Sequence, residues 1–238
     1  LEATDVYAAM NFGGVPWGHD TMLSSLNRTA LSTRIAVFLC PSDWDGIDEQ
    51  YDLAHNNYRA CAGTLPYNLP TDTPPPIKGN NGVFWYQSST RPGQIRDGAG
   101  TTALFSERCL GSSSSPDTKA DYFLSGSDEE ACRRATASTV ARFTSPVEWS
   151  GQRWADGNVF YTRYQHGLTP NRQSCMFGQE DDDAPVLVSA TSRHPGGVNC
   201  LTVDGGVRFM TDGISEPIWR ALGTIRGGEV VNDSDFSP

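Results

Sequence analysis

Residues 192–214, Ser-Arg-His-Pro-Gly-Gly-Val-Asn-Cys-Leu-Thr-Val-Asp-Gly-Gly-Val-Arg-Phe-Met-Thr-Asp-Gly-Ile, constrain this chain more than any other stretch, because two runs of β-forming residues flank one Asp-Gly pair. Asp-Gly in that setting is a strong hairpin signal, since glycine takes positive φ at no steric cost and aspartate bonds its own backbone. With Asp204-Gly205 as a two-residue turn, Val203 opposes Gly206, Thr202 opposes Val207 and Cys200 opposes Phe209. That register puts Val198, Cys200, Thr202, Val207 and Phe209 on one face, with Asn199, Leu201, Val203, Arg208 and Met210 on the other. Both faces are partly apolar, so the hairpin is expected at the centre of its sheet. Downstream, Ser215 is placed to cap a short helix that opens with Glu216-Pro217, turns Ile218, Trp219 and Leu222 inward and ends at Gly223.

Elsewhere turn residues are frequent and long helical periodicity is scarce, which favours β structure. Leu23, Leu26, Ala30 and Leu31 predict a helix over 24–33, and the apolar run 35–39 predicts a strand stopped by Cys40-Pro41-Ser42-Asp43. Segments 82–86 and 101–107 read as neighbouring antiparallel strands across a loop punctuated by Pro92, Gly93 and Gly98. Residues 111–189 read as a loop-rich insertion holding a short helix near 127–137, with Asp128, Glu129 and Glu130 at its positive end. With 37% apolar residues in 238, the chain can bury a substantial core. The expectation is an α+β fold, one domain over 1–238, dominated by antiparallel strands.

A formal net charge of −10, with 18 scattered basic residues, argues against a nucleic-acid partner. No apolar run approaches the roughly 18 residues that span a bilayer, and the first residues have no signal-peptide pattern. Six cysteines, Cys40, Cys61, Cys109, Cys132, Cys175 and Cys200, show no CxxC or CxxH spacing, so a zinc or redox site is not expected. Their even number suggests disulfides and an oxidising, extracytoplasmic compartment, cell-surface or secreted. Sequence leaves the connectivity open. The pairings expected are Cys40–Cys61 across a polar loop, Cys132–Cys175 bracketing the insertion, and Cys109–Cys200 joining two core strands.

Candidate chemistry is sparse. His194, before Pro-Gly-Gly, reads as a group that locks the start of the hairpin, so His194, Asp204 and Gly205 form a structural motif; the alternative is a metal or proton-transfer role. His19, His55 and His166 are distant in sequence, and HExxH is absent. Glu180, Asp181, Asp182 and Asp183 form an acidic run that would suit calcium, the one cofactor the sequence offers, although such runs are commonly just solvated. Asp43 to Glu49 resembles part of an EF-hand loop without its closing glutamate. There is no Gly-x-Ser-x-Gly elbow and no phosphate-binding glycine loop. Catalytic residues are therefore not assigned, and a secreted hydrolase with paired carboxylates is the weakest alternative. Trp44, Trp85 and Trp154 would stack on a sugar or other solute if they lined one groove; otherwise they pack.

Residues 192–230 also carry a wider pattern: His194, nine residues, Asp204-Gly205, Val207-Arg208-Phe209 and Gly227-Gly228-Glu229-Val230. Upstream lie Arg34 to Asp43 with Cys40-Pro41-Ser42-Asp43, Asn57-Tyr58, Asn81 to Phe84, Ile95 to Gly98, Thr101 to Glu107 and Tyr164 to Asn171. In that order these blocks resemble the prepilin-type family named for its His-x9-Asp-Gly motif, found in planctomycete-like bacteria. The resemblance implies a type IV pilin- or pseudopilin-like head, here without the leader and hydrophobic helix through which it would meet a membrane. It further implies a non-enzymatic subunit of a filament or secretion apparatus, partnered by copies of itself or by other pilin-like subunits. It supplies no catalytic residue. The same family has been grouped with extracytoplasmic solute-binding proteins, which keeps solute or carbohydrate binding as the alternative.

Overall fold

The computed structural model describes residues 3–13, 27–44, 53–66, 79–112, 117–124, 129–134, 150–176, 185–232 and 235. Among the described residues, eight strands form two sheets. β1 (Tyr58–Cys61), β2 (Ala103–Glu107), β4 (Arg163–Tyr164), β7 (Gly197–Thr202) and β8 (Val207–Thr211) make a five-stranded sheet in the order β4-β1-β2-β7-β8. β3 (Tyr122–Leu124), β5 (Ser174–Met176) and β6 (Val186–Leu187) make a three-stranded sheet in the order β3-β5-β6. The pairings are antiparallel except β1 with β4 and β3 with β5. Four short helices accompany them, α1 (Thr4–Ala9), α2 (Arg28–Leu31), α3 (Glu129–Arg134) and α4 (Glu216–Leu222), so the fold is α+β. No helix among the described residues is long and apolar enough to cross a membrane.

The C-terminal hairpin forms, but its register is one residue away from the two-residue-turn expectation. Thr202 N donates to Gly206 O at 2.8 Å and Gly205 N donates to Thr202 O at 3.0 Å, which makes a three-residue loop with Gly205 at φ +86°. A glycine at positive φ closing such a loop is the second common hairpin solution. Leu201 therefore faces Val207, Asn199 faces Phe209 and Val198 faces Met210. Because side chains alternate, the slip moves Val207 and Phe209 from the face of Val198 and Cys200 to the opposite one. Val198, Cys200 and Met210 are fully buried, whereas Val207 and Phe209 are 66% and 43% exposed. β8 is an edge strand, so the hairpin is not central in its sheet.

A Cβ added at Gly205 meets nothing within 4 Å, so the cost of a side chain there is conformational alone. Gly205→Val is expected to lose about 1–3 kcal/mol in urea unfolding, and Gly205→Asn less, because asparagine tolerates the left-handed region. Equal losses for the two variants would show that the φ requirement is not what holds glycine there.

The inner face of the large sheet carries Cys61, Val198, Cys200 and Met210, packed with Tyr164, Phe160, Val188 and, from α4, Trp219 and Leu222. Gly223 closes α4 with φ −79°, so it is not a left-handed cap; a Cβ there would lie 2.5 Å from the His166 side chain. Close packing, and not turn geometry, requires glycine at that position. The described part of 111–189 contributes Tyr122, Phe160, Tyr161, Tyr164 and Met176 to this core, and its β4 extends the main sheet. Two buried arginines join the layers. Arg108 donates to Ser174 Oγ (2.8 Å), Ser189 O (2.9 Å) and Ala120 O (2.7 Å), and Arg59 donates to Phe160 O (2.8 Å) and Ser150 Oγ (2.9 Å). Burial pulls the Arg59 pKa down to about 10, which still leaves it charged at neutral pH.

Other elements depart from expectation. Run 35–39 contains a 3₁₀ turn, Ala36–Phe38, and Val37 is exposed. Residues 81–84 are bends and not a strand; the neighbour of β2 on that side is β1, which the sequence did not suggest. α2 and α3 lie inside the predicted helices; Asn27, Ser32 and Thr33 flank α2 without being helical, and residues 24–26, 127–128 and 135–137 fall outside the described ones.

Cys132 and Cys175 form a disulfide between α3 and β5. Cys40, Cys61, Cys109 and Cys200 are buried thiols, so the pairings Cys40–Cys61 and Cys109–Cys200 are not formed. The reason is facial. Cys61 and Cys200 point into the core under Tyr164, whereas Cys40 and Cys109 line a hollow that includes Glu107 from the outer side of β2.

Candidate functional site

The start of β7 and the end of β2 bring a distinct group of side chains together on the outer face of the large sheet. β2 presents Glu107 beside Tyr58 of β1. The carboxylate is fixed from β7: Asn199 N donates to Oε2 at 2.8 Å and Asn199 Nδ2 to Oε1 at 3.0 Å. His194 hangs from the turn before β7, its backbone N donating to Ser192 Oγ at 3.1 Å, and its Nε2 lies 3.4 Å from Glu107 Oε1. Cys40 completes the group, with Sγ 3.8 Å from the same Nε2. The three ligand-bearing atoms lie within 4.8 Å of one another, and among the described residues this is the group of that kind that could hold a metal ion. Cys40 and Glu107 are buried; His194 is partly open to solvent.

A polar scaffold positions Cys40. Its backbone N donates to Asn57 Oδ1 at 2.8 Å, and Asn57 Nδ2 donates onward to Asp43 Oδ2 at 2.7 Å. Asp43 also accepts from Leu110 N (2.8 Å) and from Arg193 Nε (2.8 Å), while Arg193 bridges to Asp117 and lies 4.4 Å from the Trp44 ring. Held by two carboxylates, the Arg193 guanidinium is raised above its usual pKa despite partial burial. Asp43 is thus committed to protein donors, which does not fit the EF-hand reading of Asp43 to Glu49. Cys40, Asp43, Asn57, Glu107, Cys109 and Arg193 line a half-open hollow of about 160 Å³, open solvent included.

His194 therefore meets Cys40 and Glu107, and it does not meet Asp204. Asp204 lies at the far end of β7, roughly 20 Å away at about 3.3 Å per residue. There Asp204 Oδ1 accepts from Thr202 Oγ1 (2.6 Å) and Gly206 N (3.0 Å), contacts that hold its carboxyl below the usual range. Trp44 stands against Arg193, Trp154 tilts against Phe38 at 5.8 Å, and Trp85 packs over Gly79, three separate surroundings instead of one groove. Glu180, Asp181, Asp182 and Asp183 lie outside the described residues. Sequence reasoning missed Cys40 and Glu107 as partners of His194, although each sits in a block quoted for the family resemblance.

A second polar constellation is internal. His166 is stacked on Trp219 at 3.8 Å, with Nδ1 2.6 Å from Trp219 O and Nε2 2.8 Å from Tyr164 Oη. A carbonyl only accepts, so Nδ1 carries the proton and Tyr164 donates to Nε2. Burial lowers the His166 pKa to about 3 and pushes the Cys61 and Cys200 thiols beside Tyr164 up to about 12.

Compared with known proteins, residues 1–216 match the family described as "protein of unknown function (DUF1559)". No curated protein and no solved structure matches the chain.

Proposed function

The chain belongs to the DUF1559 family, and from that membership we propose that it is the extracytoplasmic head of a pilin- or pseudopilin-like subunit, non-enzymatic, that assembles with copies of itself or related subunits. The observation that carries this reading is the outer face of the hairpin. Val207 and Phe209 stand exposed on the edge strand β8, and Val207 opposes Leu201, which pairs with Phe105 on β2. Native edge strands are normally blunted by charge or proline, so an apolar edge suits a surface covered by a neighbour. The Cys132–Cys175 bridge favours an oxidising compartment, and the ordered blocks of the prepilin-type resemblance reach each strand of the five-stranded sheet.

The test is assembly in cells that produce the protein from its natural gene. Surface shearing followed by electron microscopy and sedimentation is expected to recover filaments containing this head. Phe209→Glu is expected to lower the assembled fraction at least about tenfold, equivalent to about 1.4 kcal/mol per contact, while its melting stays near that of the parent. Recovery of the parent only as a dispersed monomer that retains a solute would replace the assembly reading with solute binding.

A further inference from the structure

We propose that Cys40, Glu107 and His194 form a zinc site of three protein ligands with one open position. The argument begins with spacing. Zinc bonds of about 2.3 Å to sulfur and about 2.0–2.1 Å to nitrogen or oxygen imply ligand-to-ligand edges of about 3.3–3.6 Å in a tetrahedron. The Nε2 to Oε1 distance is 3.4 Å and the Sγ to Nε2 distance is 3.8 Å, so two edges are close to those of a zinc tetrahedron, and the third, Sγ to Oε1, is within 4.8 Å. The ligands come from three segments held independently: the Cys40-Pro41 turn by Asn57, the end of β2 by β7, and the turn before β7 by Ser192.

Charge points the same way. A thiolate and a carboxylate around a dication sum to zero, and a neutral site is what a buried position tolerates. The outer partners are those of a metal site, because the carboxylate is oriented by two Asn199 donors and Cys40 by its backbone bond to Asn57. Sulfur and imidazole select a borderline-soft ion over calcium, which takes six to eight oxygens. The partly open imidazole leaves the fourth position facing solvent, where water completes the tetrahedron. The site stands apart from the assembly reading, and either could fail without the other.

The 238-residue protein, reduced and stripped with a chelator, is titrated with zinc chloride against a chromophoric competitor. One equivalent is expected to bind with a Kd below about 1 µM. Cys40→Ser and His194→Gln are each expected to weaken binding at least about tenfold, and Asp204→Asn to leave it unchanged. Cobalt in place of zinc should show a thiolate charge-transfer band that Cys40→Ser removes. Independently of any variant, zinc should protect Cys40 of the parent from alkylation, with chelator restoring the reaction as read by peptide mass spectrometry. Absence of stoichiometric binding, equal Cys40 alkylation with and without zinc, or undiminished binding in both variants would overturn the site. So would a Cys40–Cys109 disulfide whose reduction yields no zinc uptake.

Discussion

Arg108→Lys loses about 3 kcal/mol or more of unfolding free energy, although it keeps the charge. The guanidinium spans Ser174 Oγ, Ser189 O and Ala120 O, and lies 5.0 Å from the centre of the Tyr122 ring. These acceptors come from different segments around β5, so one planar fork ties the end of β2 to the second sheet. A lysine ammonium is compact and sits at the end of a different stem, and it does not reproduce a fork. Each buried acceptor left without a donor costs about 1–3 kcal/mol, and hydrogen bonds from charged donors contribute about 1.5–3 kcal/mol. Urea unfolding at neutral pH, with the slope unchanged and the midpoint lowered, is the expected readout. A loss under about 1 kcal/mol would mean that the acceptors find water or other donors.

The second large effect is a loss of stability in acid that depends on His166. Its folded pKa of about 3 lies below the ordinary value of 6.5, so the unfolded chain binds the proton more readily. Stability is therefore complete above about pH 6.5, falls as the pH drops below that value, and levels off below about pH 3. The shift corresponds to on the order of 5 kcal/mol in full, with about 2 kcal/mol already lost at pH 5. The groups facing the ring, Tyr164 and Trp219, with Cys61 and Cys200 behind Tyr164, are uncharged there, so no carboxylate compensates the imidazolium. His166→Gln is expected to be less stable at pH 7 yet to show a shallower decline from pH 7 to pH 5. Parallel pH profiles for parent and variant would place the acid sensitivity elsewhere.

Local signals in the sequence were read well where one segment decided the outcome. β2, the C-terminal hairpin and α4 follow from β-forming runs, an Asp-Gly turn and a Ser-Glu-Pro start. The hairpin register was missed because Gly205-Gly206 admits both a two-residue and a three-residue loop, and only packing of Met210 against the core selects between them. β1 was invisible for a different reason: it is four residues long, and its Arg59 points into the interior, against any apolar periodicity. Run 35–39 is apolar throughout but holds a 3₁₀ turn, Ala36–Phe38, and its backbone meets the segment entering β1 through a single bond from Asn57 N to Phe38 O. The candidate site was legible only in pieces. Cys40, Glu107 and His194 each stood in a recognisable block, but their meeting depends on β2 lying between β1 and β7, which no spacing in the chain reveals.

That strand order also sets how the chain reaches its fold. Among the described strands of the large sheet, only β7 and β8 are joined by a short loop; β2 waits on a partner about 50 residues before it and another about 100 residues after it, and β1 pairs with β4 about 100 residues on. Closing loops of that length before any reward arrives makes such topologies slow to fold. The hairpin is the piece able to form early, so until β2 and the core elements dock, both of its edges and its inner face of Val198, Cys200 and Met210 stand uncovered. A newly made chain is consequently most prone to pair with another copy during this interval, and a chaperone that shields the hairpin would act on yield and not on the final structure.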